Sequence, residues 1–429
     1  MVWIQDCETG DLVVQLFIHS NFRMLYLSKF PFKTTKNLPS GADNRGTQLL
    51  LQAGFIRQEL AGAYNYTTLW LQVLRNIQEI IRQEMEATGS YEVSMTALAS
   101  QEKWETTLRW DSVDVLFKLR ATENREYALN PTHEEVVTTL MKNWIQSYKD
   151  LECMSVYQFQ TKFRNEKRAK SGILRWREFL MKDMYSFHRD QASLDTYFER
   201  AKMAYERVFE RLGIAGDTYY TLSDGAPYAK YGYEFQTELA IGEDVSYVCD
   251  ECWLGHNSEI VNEQQFICSS CGSSQVTIHQ VSEVGNIFKL GTKFSDDFGV
   301  TYTDQDGQEK SVYMGCYGIG VSRLMGVLAE KFSDEKGLVW SESIAPYTHI
   351  ILVIGDHLHE AELLAKKLEW EGYSIMMDDR EISFGMKAAD ADLFWIPHRI
   401  VISDKSIVSW GYEYKSRNSE SSEIRSFDL

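Results

Sequence analysis

Residues 163–188 read FRNEKRAKSGILRWREFLMKDMYSFH, and the fold prediction starts from this stretch. Polarity alternates over 157–163 and again over 178–187, which predicts two paired strands joined by a loop. The basic residues of that loop are Lys167, Arg168, Lys170, Arg175 and Arg177. Arginine binds phosphate oxygens through a planar, two-pronged donor, so the hairpin predicts a triphosphate site. The alternative is a solvated sheet edge, where lysine and arginine are common.

Helical and strand-like patterns alternate on both sides of this hairpin. Apolar residues recur every three or four positions over 68–85 before Gly89, which predicts a long helix that packs on a sheet or on a second subunit. Further helices are predicted over 134–144, 194–212 and 322–332, and strands over 281–298 and 312–320. After Pro346, strands (350–354, 374–377, 399–403) alternate with helices (360–371, 387–393). This alternation predicts a small α/β unit with parallel pairing and a domain boundary at 343–346.

Four cysteines form two close pairs, Cys249-x2-Cys252 and Cys268-x2-Cys271, with fifteen residues between the pairs. This spacing places four thiolates at the corners of a tetrahedron, which suits Zn²⁺. No coordination position is left for water, so the predicted site is structural. Four unrelated thiols are the alternative, and His256 and His279 are possible substitute ligands.

A glycine-rich segment at 314–323 reads Met-Gly-Cys-Tyr-Gly-Ile-Gly-Val-Ser-Arg. Gly315, Gly318 and Gly320 would let the backbone approach a ligand closely, and Arg323 would lie in the first turn of a helix. Tight structural packing explains such a string about as often. The segment lacks the spacing of a dinucleotide fingerprint, and the chain contains no P-loop motif.

The composition excludes several classes of protein. Of 429 residues, 44% are apolar and 25% charged, which excludes a disordered or fibrous chain. No run of about 18 apolar residues predicts a membrane span. The net charge of −18 excludes a general basic coat for nucleic acid, although a local basic patch is compatible with it. The N-terminus lacks a signal-peptide pattern, so a cytoplasmic location is expected.

In chain order, these segments resemble a class II aminoacyl-tRNA synthetase, specifically the bacterial-type prolyl-tRNA synthetases without the large editing insertion. The resembling blocks are 130–135, 163–188, 224–228, 283–291 and 315–320. The resemblance covers residue 24 to residue 429. It implies an α+β fold with a catalytic domain (24–345) built on an antiparallel sheet flanked by helices. A small zinc module (247–279), a C-terminal α/β anticodon-binding domain (346–429) and a homodimer are also implied.

The resemblance assigns ATP-binding roles to particular residues. Arg164 would bind the α-phosphate and align the proline carboxylate. Glu166 would receive the adenine amino group, and Phe179 would stack on the adenine. Arg175 and Arg323 would hold the distal phosphates. The implied catalytic residues are Arg164, Glu166 and Arg323.

Metal and proline contacts are implied in the same way. Glu283 falls where the family contacts Mg²⁺ and ATP, with Asn286 as a weaker candidate. Thr132 and Glu134 would hold the proline imino group. The implied proline-binding set is Thr132, Glu134, Arg164, Phe288 and Cys316.

The implied activity is the ATP-dependent activation of L-proline to prolyl-adenylate and transfer of proline to the 3′ end of tRNA(Pro). Activation is an in-line displacement at phosphorus, so positioning and charge neutralisation supply most of the catalysis. One alternative is a synthetase for threonine or serine; the closed cysteine site argues against a threonine enzyme, whose zinc needs an open position. The other is a non-catalytic paralogue that binds amino acid or RNA, against which the intact Arg164, Glu166 and Arg323 argue.

Two departures from the family lead to further expectations. Only 134 residues separate His188 from Arg323 (323 − 188 − 1), which leaves no room for a large editing domain. Hydrolysis of mischarged alanyl-tRNA by this chain is therefore not expected. Residues 1–23 match nothing in the family, so Met24 is expected to be the true initiator and the preceding segment a non-native extension.

Five tryptophans stand where relatives often carry glycine: Trp70, Trp176, Trp253, Trp395 and Trp410. One hypothesis is that these codons are UGA in a lineage that reads UGA as glycine. It predicts UGG codons at Trp104, Trp110 and Trp340. The alternative is that all five are genuine tryptophans in exposed loops.

Overall fold

The computed structural model describes residues 2–5, 12–15, 24–37, 44–152, 154–167, 173–226, 230–262 and 266–427. Most of the segment 1–23 lies outside these residues, as do Arg168 and Lys170 of the basic loop. The chain forms a larger unit, Leu38–Leu51 with Phe55–Phe332, and a smaller unit, Met1–Asn37 with Gln52–Gly54 and Ser333–Leu429. Residues 24–37 and 333–345, assigned to the catalytic domain from sequence, thus group with 346–429.

The strands, in chain order, are β1 (Val2–Gln5), β2 (Leu12–Gln15), β3 (Leu25–Tyr26), β4 (Ile56–Leu60), β5 (Ala63–Tyr66), β6 (Tyr91–Glu92), β7 (Leu98–Ser100), β8 (Phe117–Arg120), β9 (Glu126–Leu129), β10 (Met154–Phe163), β11 (Glu178–His188), β12 (Thr218–Asp224), β13 (Tyr231–Glu238), β14 (Asp244–Cys249), β15 (Gly255–Asn257), β16 (Val276–Gly291), β17 (Thr301–Thr303), β18 (Glu309–Ser311), β19 (Tyr313–Ile319), β20 (His349–Val353), β21 (Ile375–Asp378), β22 (His398–Ile402), β23 (Gly411–Ser416) and β24 (Glu423–Ser426).

The α-helices are α1 (Arg45–Gln52), α2 (Thr68–Glu86), α3 (Gln101–Thr106), α4 (Glu134–Met141), α5 (Gln191–Arg211), α6 (Lys293–Phe298), α7 (Val321–Lys331), α8 (Leu358–Trp370), α9 (Phe384–Phe394) and α10 (Asp404–Val408). Short 3₁₀ segments occur at Leu27–Lys29, Thr122–Asn124, Tyr148–Leu151, Ala215–Asp217 and Ser258–Ile260. In the described part of the chain, no helix combines the length and the apolar character needed to cross a bilayer.

The larger unit is built on a nine-stranded sheet in the order β13-β12-β15-β14-β16-β19-β11-β10-β6, and β13 also pairs with β16. The strands are antiparallel except for the pairs β10–β6 and β12–β15. The register of β10 with β11 runs from Met154 opposite Phe187 to Phe163 opposite Glu178. The predicted hairpin and the antiparallel sheet are therefore confirmed.

Helices pack on both faces of this sheet, with α5 on one face and α4 and α6 on the other. The apolar stripe of α2 is buried inside the larger unit, where α2 contacts α5 and α7. Glu84 on α2 forms ion pairs with Arg207 at 2.6 Å and Arg211 at 2.9 Å on α5. The predicted long helix thus packs within its own chain. Because α5 contacts β11, β19 and β16, the cavities described below lie on the opposite face of these strands, beside α4 and α6.

One predicted strand was wrong at its end. The strand β16 stops at Gly291, and 293–298 is the helix α6. Phe294 and Phe298 are four residues apart, which fits one helical face as well as it fits strand alternation. Gly291 has a positive φ of 61°, so the chain leaves the extended conformation there.

The smaller unit contains a six-stranded sheet in the order β24-β23-β22-β20-β21-β3. The strand β20 runs parallel to β21 and β22, which confirms the predicted parallel pairing. The strand β24 at one edge of the sheet and its neighbour β23 are antiparallel and were not predicted. Their connection is the serine- and glutamate-rich segment 416–423, whose composition indicates a loop and gives no sign of the flanking strands.

Buried histidines predict a loss of stability in mild acid. His188 at the end of β11 is buried, and burial lowers its pKa to about 4. Between this value and the unfolded pKa near 6.5, the unfolded chain binds more protons, so stability falls as pH decreases. The free energy of unfolding should therefore fall between pH 7 and pH 5. We expect this fall to be about 2 kcal/mol smaller in a His188→Gln variant than in the parent chain. Denaturant titrations at both pH values measure this difference, and an identical drop in both proteins would contradict it.

Candidate active site

Two neighbouring cavities bring together the residues singled out from the sequence. The first is lined by all seven residues predicted to bind ATP: Arg164, Glu166, Arg175, Phe179, Glu283, Asn286 and Arg323. The second is lined by all five residues predicted to bind proline: Thr132, Glu134, Arg164, Phe288 and Cys316. Arg164, Met181 and Asn286 line both cavities. The individual roles of these residues stay predictions.

Strand register explains why distant residues meet in the second cavity. The central strands β11, β19 and β16 are neighbours in the sheet, and directly opposed residues of antiparallel strands share a face. One row of opposed residues is Tyr185, Cys316 and Phe288, and the next is Asp183, Gly318 and Asn286. All six line the cavity. The cavity floor is thus a direct consequence of how three strands align.

One end of the second cavity is acidic. Glu134 is 1% exposed and begins helix α4, where the helix dipole favours a negative charge. Thr132 Oγ1 donates a hydrogen bond to Glu134 Oε2 at 2.6 Å, and Cys316 Sγ lies 3.3 Å from Glu134 Oε1. Burial, followed by the nearby Glu134, raises the pKa of the Cys316 thiol, which keeps it protonated as a donor. This end of the cavity suits a small cationic amine.

Arg109 joins the two carboxylates at the start of α4 and was not identified from the sequence. Its Nη1 lies 2.8 Å from Glu135 Oε1 and 3.4 Å from Glu134 Oε2, and all three side chains are almost fully buried. Burial raises the pKa of Glu135, and the charge of Arg109 acts in the opposite direction. Arg109 also lines the cavity. Nothing in its local sequence distinguishes it from a surface arginine.

Asp183 is a second residue without a role predicted from sequence. Its carboxylate lies 2.7 Å from Lys162 Nζ and accepts hydrogen bonds from Tyr185 and Gln158 at 3.0 Å. Burial alone would raise the pKa of Asp183, but the positive charge of Lys162 lowers it. The charged pair Lys182 and Asp183 between Leu180 and Tyr185, in a mostly apolar part of the strand, was the available signal. The network fixes Tyr185, whose hydroxyl also accepts the N–H of His133 at 3.1 Å.

The mouth of the first cavity carries an exchangeable ion pair. Arg175 Nη2 lies 2.7 Å from Glu166 Oε2, and the Arg175 side chain is half exposed. Solvent screens the exposed Arg175 end, so the pair contributes only about 1 kcal/mol and Arg175 can turn to a ligand at little expense. The guanidinium carbon of Arg164 lies 5.1 Å from the ring centroid of Phe179.

Carboxylates hold Arg323 deeper in the first cavity. Arg323 Nη1 lies 3.2 Å from Glu283 Oε2 and 3.3 Å from Glu243 Oε1. Burial would lower the pKa of Arg323, yet these two carboxylates raise it above its usual value. Arg323 lies in the first turn of α7, which begins after Gly320, as the sequence predicted.

The carboxylates around Glu283 outnumber the nearby positive charge. Burial and then Glu283 raise the pKa of Glu234 to about 8. Burial and then Glu243 raise the pKa of Asp244 to about 6. A divalent cation would relieve this repulsion, so the donor set fits Mg²⁺. Of Glu234, Glu243, Asp244 and Glu283, it is Glu283 that lines the cavity.

The three glycines of 315–320 differ in whether they line a cavity or allow close packing. A Cβ on Gly318 would lie 2.5 Å from Met181 Cε and 2.7 Å from Asn286 Oδ1, both lining residues of the cavities. A Cβ on Gly315 would lie 2.3 Å from Tyr317 Oη in the packed interior. Close packing therefore explains Gly315, and only Gly318 and Gly320 line a cavity.

The four paired cysteines form a compact cluster. The Sγ atoms of Cys249, Cys252, Cys268 and Cys271 all lie within 4.8 Å of one another. Four thiolates at tetrahedral spacing suit Zn²⁺. His256 instead accepts the Ser269 N–H at 3.2 Å, and His279 lies 3.0 Å from Glu238. The cysteines fit a closed zinc site without either histidine.

Family models and curated relatives both match this chain over most of its length. Residues 117–332 match the family described as tRNA synthetase class II core domain (G, H, P, S and T), and residues 348–428 match the anticodon binding domain. A proline--tRNA ligase of Bacillus cytotoxicus is 32% identical over 92% of this chain and 97% of its own length. The proline--tRNA ligase of Bacillus subtilis is 31% identical over 91% and 96%.

Solved structures show the same fold. Prolyl-tRNA synthetase from Cryptosporidium parvum, solved with L-proline and AMP, superposes with a TM-score of 0.72 at 17% identity, covering 92% of this chain and 74% of that one. The Giardia lamblia enzyme, in complex with prolyl-adenylate, gives a TM-score of 0.71 at 17% identity, covering 88% and 73%. With matches to both domain families and to full-length relatives, the chain belongs to the proline--tRNA ligase family of class II aminoacyl-tRNA synthetases.

Proposed function

We propose that this chain activates L-proline with ATP and transfers the proline to tRNA(Pro). The observation that carries the proposal is the pair of adjacent cavities with Arg164 in the wall of both. A reaction between two bound substrates needs them to meet at such a boundary. The family membership and the names of the relatives support the choice of proline over threonine or serine.

In the proposed reaction, one proline carboxylate oxygen attacks the α-phosphorus of ATP and the bond to pyrophosphate breaks. Glu134 and Thr132 hold the proline amine, and the apolar ring of Phe288 limits the size of the side chain. Arg164 neutralises charge on the carboxylate and on the α-phosphate as they approach. No side chain acts as a nucleophile, because the substrate carboxylate is one.

Phosphate charge is neutralised at the other end of the first cavity. Arg323 and Arg175 are the proposed partners of the distal phosphates. Glu283 would hold Mg²⁺, which withdraws negative charge from phosphate oxygens when it is bound. The cysteine cluster is proposed to hold a structural Zn²⁺.

Assembly and location are further proposals. The family resemblance suggests a homodimer, and apolar side chains exposed on the short strands β6, β7 and β8 support it: Tyr91, Leu98 and Leu119. The strand β6 forms an edge of the large sheet, where pairing with a second copy is available. Light scattering of the purified chain tests the dimer. The proposed location is the cytoplasm.

A proline-dependent ATP–pyrophosphate exchange assay tests the activity. We expect exchange with proline and none with threonine or serine. A synthetase for another amino acid would respond to that amino acid instead, and a non-catalytic paralogue would give no exchange with any of them. Charging of tRNA(Pro) transcripts then tests the second step.

Editing is expected to be absent from this chain. The match to the Bacillus cytotoxicus enzyme extends over 553 positions, although this chain has only 429 residues, so the relative contains segments that this chain lacks. A pocket built for proline rejects the smaller alanine only weakly, since each missing methylene is worth about 1–3 kcal/mol. We therefore expect the purified enzyme to form Ala-tRNA(Pro) slowly and not to hydrolyse it. Release of alanine from Ala-tRNA(Pro) above the spontaneous rate would refute this.

A further inference from the structure

Three tryptophans adopt a backbone conformation that favours glycine. Among the described residues, six other than glycine have a positive φ, and three of these are Trp253 (62°), Trp395 (52°) and Trp410 (52°). Tryptophan supplies only 11 of the 429 residues. In this region the Cβ of an L-residue approaches the following carbonyl oxygen, so a bulky residue there is a true outlier. The concentration of outliers in one rare residue type points to a common cause.

The two cysteine pairs allow an internal comparison. After Cys271, Gly272 has a φ of 76° and donates its N–H to the Cys268 carbonyl at 3.0 Å. After Cys252, Trp253 has a φ of 62° and donates its N–H to the Cys249 carbonyl at 2.9 Å. The two turns are the same, with glycine in one and tryptophan in the other. Trp253 is 68% exposed, so little packing of its indole offsets the unfavourable backbone.

Helix ends give the same result. Gly299, the residue directly after helix α6, has a φ of 61°, and Trp395, the residue directly after α9, has a φ of 52°. The left-handed position after a helix is usually glycine, because it has no Cβ. Trp410 follows α10, donates its N–H to the Ile407 carbonyl at 2.9 Å and is 86% exposed. All three tryptophans thus occupy glycine positions of ordinary turns.

We propose that positions 253, 395 and 410 are glycine in the natural polypeptide. The link is the codon UGA, which differs from the tryptophan codon UGG in one base and from the glycine codon GGA in one base. Suppose that the cell reads UGA as glycine, but that its gene is translated with a code that reads UGA as tryptophan. The translated sequence then shows tryptophan where the natural polypeptide contains glycine. The reading of one codon, UGA, as glycine therefore accounts for all three backbone outliers.

Trp176 extends the proposal to the first cavity, and this extension rests on the proposed function. Its indole is buried, lines the cavity and donates to the Ile173 carbonyl. Its ring lies 6.2 Å from that of Trp70, which is fully buried in α2. Neither residue has a positive φ, so the backbone does not require glycine at these two positions. Glycine at 176 would enlarge the space for ATP.

The gene and the natural protein provide the decisive test. We expect UGA at codons 253, 395 and 410 and glycine in the corresponding peptides of the protein isolated from its own cells. UGG at these codons, or peptides with the mass of tryptophan, would overturn the proposal. This test does not depend on enzyme activity, so it can fail while the proposed function stands.

Recombinant variants of the chain with tryptophan at these positions test whether the backbone is strained there. We expect Trp253→Gly and Trp410→Gly each to raise the unfolding midpoint by about 2–4 °C, because a strained backbone is relieved while little packing is lost. Trp370→Gly is the matched control, since Trp370 is 88% exposed but ends helix α8. There glycine should lower the midpoint by about 1–4 °C. A decrease at all three positions would contradict the proposal.

The Michaelis constant for ATP tests the extension to position 176. Trp176→Gly is expected to lower it several-fold in the exchange assay, because the indole occupies part of the cavity wall. An unchanged or higher constant would confine the proposal to positions 253, 395 and 410 and overturn its extension.

Discussion

An Arg164→Ala variant is expected to lose proline-dependent ATP–pyrophosphate exchange by about 10²–10³-fold. Arg164 is the only arginine that lines both cavities among the described residues. It can therefore bind the attacking carboxylate and the α-phosphate together, and both interactions strengthen as charge moves between them. Exchange rates measured with proline and ATP varied in turn should show a lower kcat as well as higher Michaelis constants.

Two further variants separate this role from general stability. Arg164→Lys keeps the charge but loses the planar fork, so its activity should lie between those of the parent and of Arg164→Ala. Arg207→Ala removes another arginine of the larger unit, whose partly exposed side chain on α5 forms an ion pair with Glu84 on α2. Its exchange rate should equal that of the parent. If Arg164→Ala retained the parent kcat, the role at the boundary of the cavities would be wrong.

Much of the candidate site could be predicted because its residues lie in short, recognisable segments. Arg164, Glu166, Arg175 and Phe179 are close together on one hairpin, so finding the hairpin finds them. Glu283 to Phe288 and Cys316 come from two other segments, and their meeting with the hairpin depends on strand register. The resemblance to a known family predicted that these segments share one site. The alternation of polar and apolar residues along each strand would not have predicted it.

The residues that were missed act through contacts between segments. Arg109 matters because it faces Glu134 and Glu135, which lie 25 and 26 positions further along the chain. No local pattern marks such a partner. The strands β23 and β24 were missed for a related reason, since a strand in a polar segment is stabilised by its neighbour in the sheet and not by its own composition.

Replacing Cys249 or Cys268 with serine is expected to abolish zinc binding, from one Zn²⁺ per chain to almost none. Both sulfurs belong to buried residues, and a metal site contributes directly to the stability of the fold around it. A loss of about 3 kcal/mol corresponds to a decrease in the unfolding midpoint of roughly 6–12 °C. Elemental analysis of protein purified without chelator measures the metal, and Ser270→Ala in the same loop should leave metal and midpoint unchanged.

The same substitutions should also reduce exchange activity, because one strand connects the two sites. The strand β16 begins five residues after Cys271 and carries Glu283, Asn286 and Phe288 to the cavities. Its neighbour β14 ends at Cys249 and pairs with the first part of β16. Without zinc, the start of β16 loses its fixed end, and we expect the Michaelis constant for ATP to rise before proline binding is affected. If Cys249→Ser protein lacked zinc but kept the parent midpoint and the parent constant for ATP, the cluster would have no structural role in this enzyme.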